Sequence, residues 1–141
     1  MEPTNKKVSL LRIVAATIYD SLLMLGVWFL VGSLALGIKF VFTGEVSSLN
    51  PAAGMSLVIL STWLYFAMFW IYGGKTLGMS SWKLRIISQN GNQITIIQTI
   101  VRFLSNIFTI SFAGIPLFFR QINKNDKSLS DLLSKTSIIS D

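Results

Sequence analysis

The sequence predicts an all-α membrane protein with two transmembrane helices, a third apolar helix that spans or re-enters the membrane, and a small cytoplasmic β-hairpin in the second loop. Three observations support this fold class. The chain of 141 residues is 52% hydrophobic and only 13% charged, whereas about 25% of the residues in a soluble domain are charged. The apolar residues form long blocks. Basic residues flank these blocks, as membrane orientation requires.

The first two apolar blocks are long enough to cross a membrane, which takes about 20 mainly apolar residues. Block one, residues 13–38, contains a single charge, Asp20, and block two, residues 52–72, contains none. The first block could also be read as a signal peptide, but the apolar region of such a peptide has only about 7–15 residues. We therefore expect both blocks to form retained helices of a single membrane domain, residues 1–141.

The third block, residues 100–119, allows two arrangements. Arg102 lies near its start, and Gly114 and Pro116 near its end could supply a bend. If the block spans the membrane, the tail 120–141 lies outside, although the positive-inside rule disfavours export of its basic residues. These are Arg120, Lys124, Lys127 and Lys135. A re-entrant or interfacial block would keep the tail in the cytoplasm, and the residues alone leave both arrangements open.

The central loop, residues 73–99, should lie in the cytoplasm with the N-terminus. Each of these two segments carries three basic residues, and the first loop carries only Lys39. In the central loop, two β-prone runs, residues 82–87 and 94–97, flank Asn90-Gly91, a sequence typical of a hairpin turn. The sequence therefore predicts a short cytoplasmic hairpin, and a solvated linker is the alternative.

Composition excludes several classes of function. The chain has no cysteine and no histidine, so thiolate nucleophiles, disulfides and Ser-His-Asp chemistry are absent. No nucleophile with a base, no carboxylate pair and no metal-ligand cluster stands out. The net charge of +6 is spread along the membrane flanks, without the basic cluster that nucleic-acid binding requires. We expect no enzyme, catalytic residue, metal, cofactor or nucleic-acid partner; the expected partners are the lipid bilayer and other copies of the chain.

Asp20 is the first candidate for a functional residue. A carboxylate near the middle of a membrane costs about 2.5–3.5 kcal/mol, so such residues often mark ion or proton pathways. The alternative is a polar clamp between helices. Arg12 and Arg102 are candidate charge partners, although each could also extend to the lipid headgroups. Tyr65 could offer its hydroxyl to the carboxylate.

Several residues together resemble the RDD family of small bacterial membrane proteins, which is named for one Arg and two Asp. Arg12 opens the first membrane block and Asp20 lies inside it. Asp131 follows the last apolar block and closely precedes Thr136. The segment Gly74-Lys75-Thr76-Leu77-Gly78-Met79 is similar to the central loop of the family. The resemblance extends over residues 11–139.

The resemblance implies a helical domain of the bacterial cytoplasmic membrane, and some members of the family are associated with cation/proton exchange. Its implied functional residues are Arg12, Asp20 and Asp131, with Lys75 and Thr136 as supporting candidates. Arg102 and Tyr65 remain supporting candidates from the residue pattern. Members often have His before the second Asp and Ala shortly after it, where this chain has Ser130 and Ser134. A role that needs that histidine is therefore excluded here.

Two functions follow as hypotheses. The first is a small cation/proton antiporter or solute transporter in which Asp20 binds a proton and a cation in turn; three membrane segments are few, so we expect an oligomer. The second is a membrane scaffold or accessory protein that binds a partner through the central loop and the tail. An aqueous path to Asp20 would distinguish the first hypothesis from the second.

Overall fold

The computed structural model describes residues 8–112 and 127–141. The described chain forms helices α1 Leu10–Thr43, α2 Pro51–Gly73, α3 Leu77–Ser81, α4 Ile96–Ser111 and α5 Leu129–Leu133, and strands β1 Leu84–Ser88 and β2 Thr136–Ser140. Two long apolar helices and a small two-stranded antiparallel sheet confirm the predicted fold class.

Helix α2 begins and ends within one residue of the predicted block because strong local signals stand at both ends. Asn50 accepts a hydrogen bond at 2.9 Å from the backbone N–H of Ala52, and Pro51 occupies the first turn. Proline suits this position because its missing N–H would be unpaired there. At the other end, Gly74 adopts a φ of 64° and donates its N–H to Trp70 O at 3.1 Å, an ending that favours glycine.

Helix α1 is longer than the predicted block. It begins at Leu10 and continues to Thr43, after which Gly44 adopts a φ of 68°. Its 34 residues correspond to about 51 Å at 1.5 Å per residue, which exceeds a hydrocarbon thickness of about 30 Å. Both α1 and α2 satisfy the length and hydropathy criteria for membrane-spanning helices, and their apolar side chains are mainly exposed. Such exposure suits contact with lipid rather than a place in the core of a soluble protein.

The sheet differs from the predicted hairpin. Strand β1 pairs with β2 from the tail, and Ile86 lies opposite Ile138. The prediction of a second strand at residues 94–97 is wrong, because α4 begins there. Thr95 accepts from Gln98 N at 3.3 Å, and the Gln98 side chain accepts from Thr95 N at 3.0 Å. This reciprocal capping favours a helix start over a strand.

The segments that form the sheet are two copies of one short motif. Each copy has a capping Ser or Thr, a five-residue helix, a lysine with positive φ and a five-residue strand, and every feature recurs 52 positions later. Residues 75–88 and 127–140 are identical at six aligned pairs. These pairs are Lys75/Lys127, Leu77/Leu129, Lys83/Lys135, Ile86/Ile138, Ile87/Ile139 and Ser88/Ser140. Because Ile86 and Ile138 are equivalent and directly opposite, the antiparallel sheet has an approximate two-fold axis between them.

The sheet brings the tail back to the central loop. Asp131 of the tail also contacts Arg102, which lies in the first half of α4. The described part of the third apolar block therefore belongs to α4, which starts four residues before the predicted block, and the tail lies near the start of that helix. Gly114 and Pro116, where we expected the bend, lie outside the described residues, as do Arg120 and Lys124.

Candidate functional site

Asp20 joins three helices near the sheet. Its side chain is only 4% exposed. One carboxylate oxygen accepts from the Thr76 hydroxyl at 2.5 Å; the other accepts from Gly78 N at 2.9 Å and from the Tyr65 hydroxyl at 3.3 Å. Thr76 and Gly78 lie at the start of α3, where backbone N–H groups lack partners within the helix. The carboxylate thus fixes α3 and α2 against α1.

Gly78 is required at this joint by close contact with α1. A Cβ atom at this position would lie 2.3 Å from Ala16 O and 2.8 Å from the Asp20 carboxylate carbon. Every larger residue would push α3 away from α1, and the hydrogen bonds to Asp20 depend on that contact.

A second buried polar cluster surrounds Arg102. The Nη1 atom of Arg102 lies 2.6 Å from Asp131 Oδ1 and donates to Thr136 Oγ1 at 2.6 Å. The two charged side chains are 4% and 1% exposed. Asp131 also accepts from Ser128 N at 3.1 Å, and the Ser128 hydroxyl accepts from Asp131 N, so the aspartate both caps α5 and neutralises the arginine. The cluster ties the tail to α4.

Two donors beside this cluster lack acceptors. The Arg102 guanidinium carbon lies 5.6 Å from the ring centroid of Trp70, a distance suited to a cation–π contact. Arg102 Nε and Trp70 Nε1 are both buried, and neither has a hydrogen-bond partner within the described chain. Buried donors without acceptors are costly, and neither atom has enough accessible surface for a bound molecule to reach it.

A cavity of about 490 Å³ lies between α1, α2, α4 and the sheet. Asp20 and Arg102 both line it, and Trp28 and Thr62 lie in the part that is formed by the long helices. The Trp28 indole donates to Thr62 Oγ1 at 2.9 Å across the two helices. Both motif copies contribute to the wall, since Ile86 and Ile138 line the end next to the sheet. The two copies therefore close one end of a cavity that is otherwise formed by α1, α2 and α4.

Helix α4 is mainly polar on its buried face and apolar on its exposed face, which is the reverse of a helix in a soluble protein. Its polar residues are buried, with Thr99 at 0%, Ser105 at 8% and Thr109 at 6% exposure. Its apolar residues include Ile97 and Leu104, which are 74% and 59% exposed. An apolar outer face and a polar inner face suit a helix between lipid and a polar cavity.

The other candidates from the sequence lie apart from this cavity. Arg12 is exposed, and neither Arg12 nor Arg102 makes a described contact with Asp20, so the expected charge pairing with Asp20 is not observed. Tyr65 does contact Asp20. Lys75 lies 2.5 Å from Asp141 at the edge of the sheet. This hydrogen bond is the main reason that the pKa of the Asp141 carboxyl lies below its usual range, and the charges of Arg85 and Lys75 add to it.

Thr76, Gly78 and Ser128 have positional roles that the sequence analysis did not assign to them. Thr76 and Ser128 are equivalent caps of the two motif copies, and both line the cavity. The sequence does contain a signal for these two caps, because the short motif recurs 52 positions later. A comparison of the chain with itself would reveal it. The contact of Gly78 with Ala16 has no such local signal because it joins two distant segments.

Comparison with known proteins assigns most of the chain to one family. The model of the RDD family matches residues 9–135, a span that contains Asp20, Arg102, Asp131 and the first motif copy. No curated protein and no solved structure matches the chain. Most of the chain is thus covered by one family model, and the protein is a member of the RDD family.

Proposed function

We propose that this membrane protein is a small-solute transporter whose binding site is the cavity between α1, α2, α4 and the sheet. The observation that carries the proposal is the presence of buried Asp20 and Arg102 in the wall of that cavity, inside a domain with two helices able to cross a membrane. Ionisable residues inside a membrane domain often mark the pathway of a substrate or ion.

The inverted polarity of α4 supports this function. Thr109 is buried against the protein and lines the cavity, and Asn106 is partly buried there as well. Polar side chains inside a membrane domain usually face a bundle interior or a water-filled path. A scaffold needs packing between helices, but it does not need a cavity with polar groups in part of its wall.

The geometry favours an uncharged solute over the cation/proton exchange that the family resemblance implies. Asp20 already accepts three hydrogen bonds, so a cation would have to displace donors from the carboxylate. Arg102 lines the same cavity and adds a positive charge. In proteoliposomes with an imposed pH gradient, we expect no proton flux that depends on added Na⁺, K⁺ or Li⁺. Cation-dependent flux would support antiport instead.

Accessibility to water tests the proposed site directly. The chain has no cysteine, so Asn106→Cys and Phe108→Cys give single thiols on two faces of α4. A small uncharged methanethiosulfonate reacts with the thiolate, which requires water. We expect modification of Asn106→Cys, which lines the cavity, and little modification of Phe108→Cys, which is 52% exposed toward the proposed lipid side. Equal protection of both thiols in purified, folded protein would contradict a transport pathway.

We also propose that the protein is a multi-pass protein of the bacterial inner membrane, with the N-terminus, central loop and tail in the cytoplasm. The positive-inside rule supports this orientation, and the pairing of β1 with β2 keeps loop and tail together. A membrane-impermeant thiol reagent added to intact spheroplasts should label Ser47→Cys and spare Ser137→Cys. Labelling of Ser137→Cys from outside would refute the orientation.

A further inference from the structure

We propose that the cavity binds a neutral amphiphile, a molecule with one apolar chain and an uncharged head that carries acceptor oxygens. This inference rests on the proposed function, because it names the class of solute for the same cavity. Three features lead to it: the polarity of the walls, the charges at the end near the sheet, and the exposure of the residues at the opening.

The walls between the long helices are mainly apolar. Met24, Val58, Phe66 and Phe103 contribute to them, and few polar atoms lie among them. The volume of about 490 Å³ falls within the range of about 300–1,000 Å³ that is typical of small-molecule sites. A fully polar solute would lose its hydration here without new hydrogen bonds, which is unfavourable. The body of the ligand should therefore be apolar.

The end near the sheet is suited to a head with acceptor oxygens. Arg102, Ser128 and Ser130 line this end. Trp70 lines it too. A hydroxyl, ester or carbonyl oxygen can accept hydrogen bonds from guanidinium and hydroxyl groups of the kind found at this end.

The charges at this end favour a neutral head. Arg102 is already paired with Asp131 at 2.6 Å, so an anionic head would have to displace that carboxylate. A cationic head would find both carboxylates occupied: Asp20 accepts three hydrogen bonds, and Asp131 accepts from Arg102 and Ser128. Among the described residues, therefore, neither an anionic nor a cationic head would find an available counter-charge.

The opening of the cavity lies among exposed apolar side chains. Ser21, Ile59 and Ile107 line the cavity and are themselves exposed. Their sequence neighbours Leu22, Leu60 and Phe108 are 64%, 52% and 52% exposed. In a membrane-embedded domain such an opening faces hydrocarbon, so the ligand enters from the lipid phase. A lipid-soluble molecule with a weakly polar head meets that requirement.

The test uses intact protein in phosphatidylcholine nanodiscs and a monoacylglycerol that carries bromine on its chain. Bromine quenches tryptophan at short range, and Trp28 and Trp70 both line the cavity. Val58→Phe would fill part of the wall, and Leu60→Phe places the same side chain on the exposed face of the same helix as a matched control. Competitors of equal chain length carry a glycerol ester, a carboxylate or a trimethylammonium head, at equal mole fraction in the bilayer.

We expect saturable quenching that weakens by about tenfold in Val58→Phe and is unchanged in Leu60→Phe. The glycerol ester should displace the probe, whereas the charged amphiphiles should not. Quenching without saturation that is equal in all three proteins, or equal displacement by a charged competitor, would overturn the inference. If Val58→Phe does not insert, Ser21→Leu at the opening replaces it. Thiol modification of Asn106→Cys without saturable quenching would overturn the amphiphile alone and leave the proposed function standing.

Discussion

Replacement of Gly78 by alanine tests the joint between α3 and α1 most directly. The added Cβ would lie 2.3 Å from Ala16 O, about 1.1 Å closer than the 3.4 Å at which ordinary contacts begin. A shift of that size would lengthen the 2.9 Å bond from Gly78 N to Asp20 beyond hydrogen-bonding distance. The neighbouring bond from Thr76 would be lost with it.

The expected cost follows from those two bonds. Hydrogen bonds to a charged group contribute about 1.5–3 kcal/mol each, so Gly78→Ala should lower the free energy of unfolding by about 3–6 kcal/mol. That is a large part of the roughly 5–15 kcal/mol available to a typical domain. The assay is thermal unfolding of the purified protein in detergent, followed by tryptophan fluorescence and by the loss of the monodisperse peak in size-exclusion chromatography.

Gly32→Ala is the matched control. Gly32 lies within α1, and a Cβ there would meet no described atom within 4 Å. Replacement of glycine by alanine inside a helix usually stabilises by about 0.5–1 kcal/mol, so this variant should be at least as stable as the parent. If Gly78→Ala and Gly32→Ala unfold at the same temperature, α3 does not dock on α1 as described, and the role given to Asp20 is wrong.

Three further predictions concern charged groups. Asp131→Asn leaves the Arg102 charge buried without a charged partner and should destabilise by about 3–5 kcal/mol in chemical unfolding; a cost below that of an exposed ion pair, about 1 kcal/mol, would refute the pairing. Asp20→Asn offers one acceptor oxygen to three donors and should lower stability by about 1–3 kcal/mol; unchanged stability with abolished solute flux would identify an ion site instead. The lowered pKa of Asp141 means that its stabilising contribution is present above the ordinary carboxyl pKa and is lost as pH falls through the lower folded value. Carboxyl NMR titration should show Lys75→Gln raising that pKa, and no change would remove Lys75 as the main cause.

Local sequence signals were sufficient to predict the two membrane helices. They were insufficient to predict which distant segments pair with each other. The start of α2 follows from Asn50-Pro51 and its end from Gly73-Gly74, so its bounds could be read from the sequence. Asn90-Gly91 does indicate a turn, and Gly91 does adopt a φ of 72°. The hairpin prediction failed because the capping pair Thr95 and Gln98 starts a helix soon after that turn. Strand β1 then finds its partner in the tail, and no local pattern specifies a pairing over such a distance.

The candidate site, like the fold, could be predicted from the sequence only in part. A buried Asp20 was expected from its position in an apolar block, and Tyr65 was suggested by its hydroxyl. Thr76 and Gly78 could not be chosen, because their contacts with Asp20 depend on how α3 folds back against α1. The ion pair of Arg102 and Asp131 likewise joins residues separated along the chain by 29 positions. Their motif positions were visible in the sequence, but their mutual contact required the tertiary structure.

The pairing of the central loop with the tail also separates events during biosynthesis. Strand β1 leaves the ribosome 52 residues before β2, a delay of about 3–10 s at about 5–20 residues per second. During that interval the two long helices can already enter the bilayer, while β1 presents an unpaired edge of the kind that promotes aggregation. The exposed lysine and arginine next to this edge, Lys83 and Arg85, oppose association with other nascent chains. Completion of the sheet is therefore a late step of synthesis, and a chain that stalls before Thr136 keeps the unpaired edge of β1.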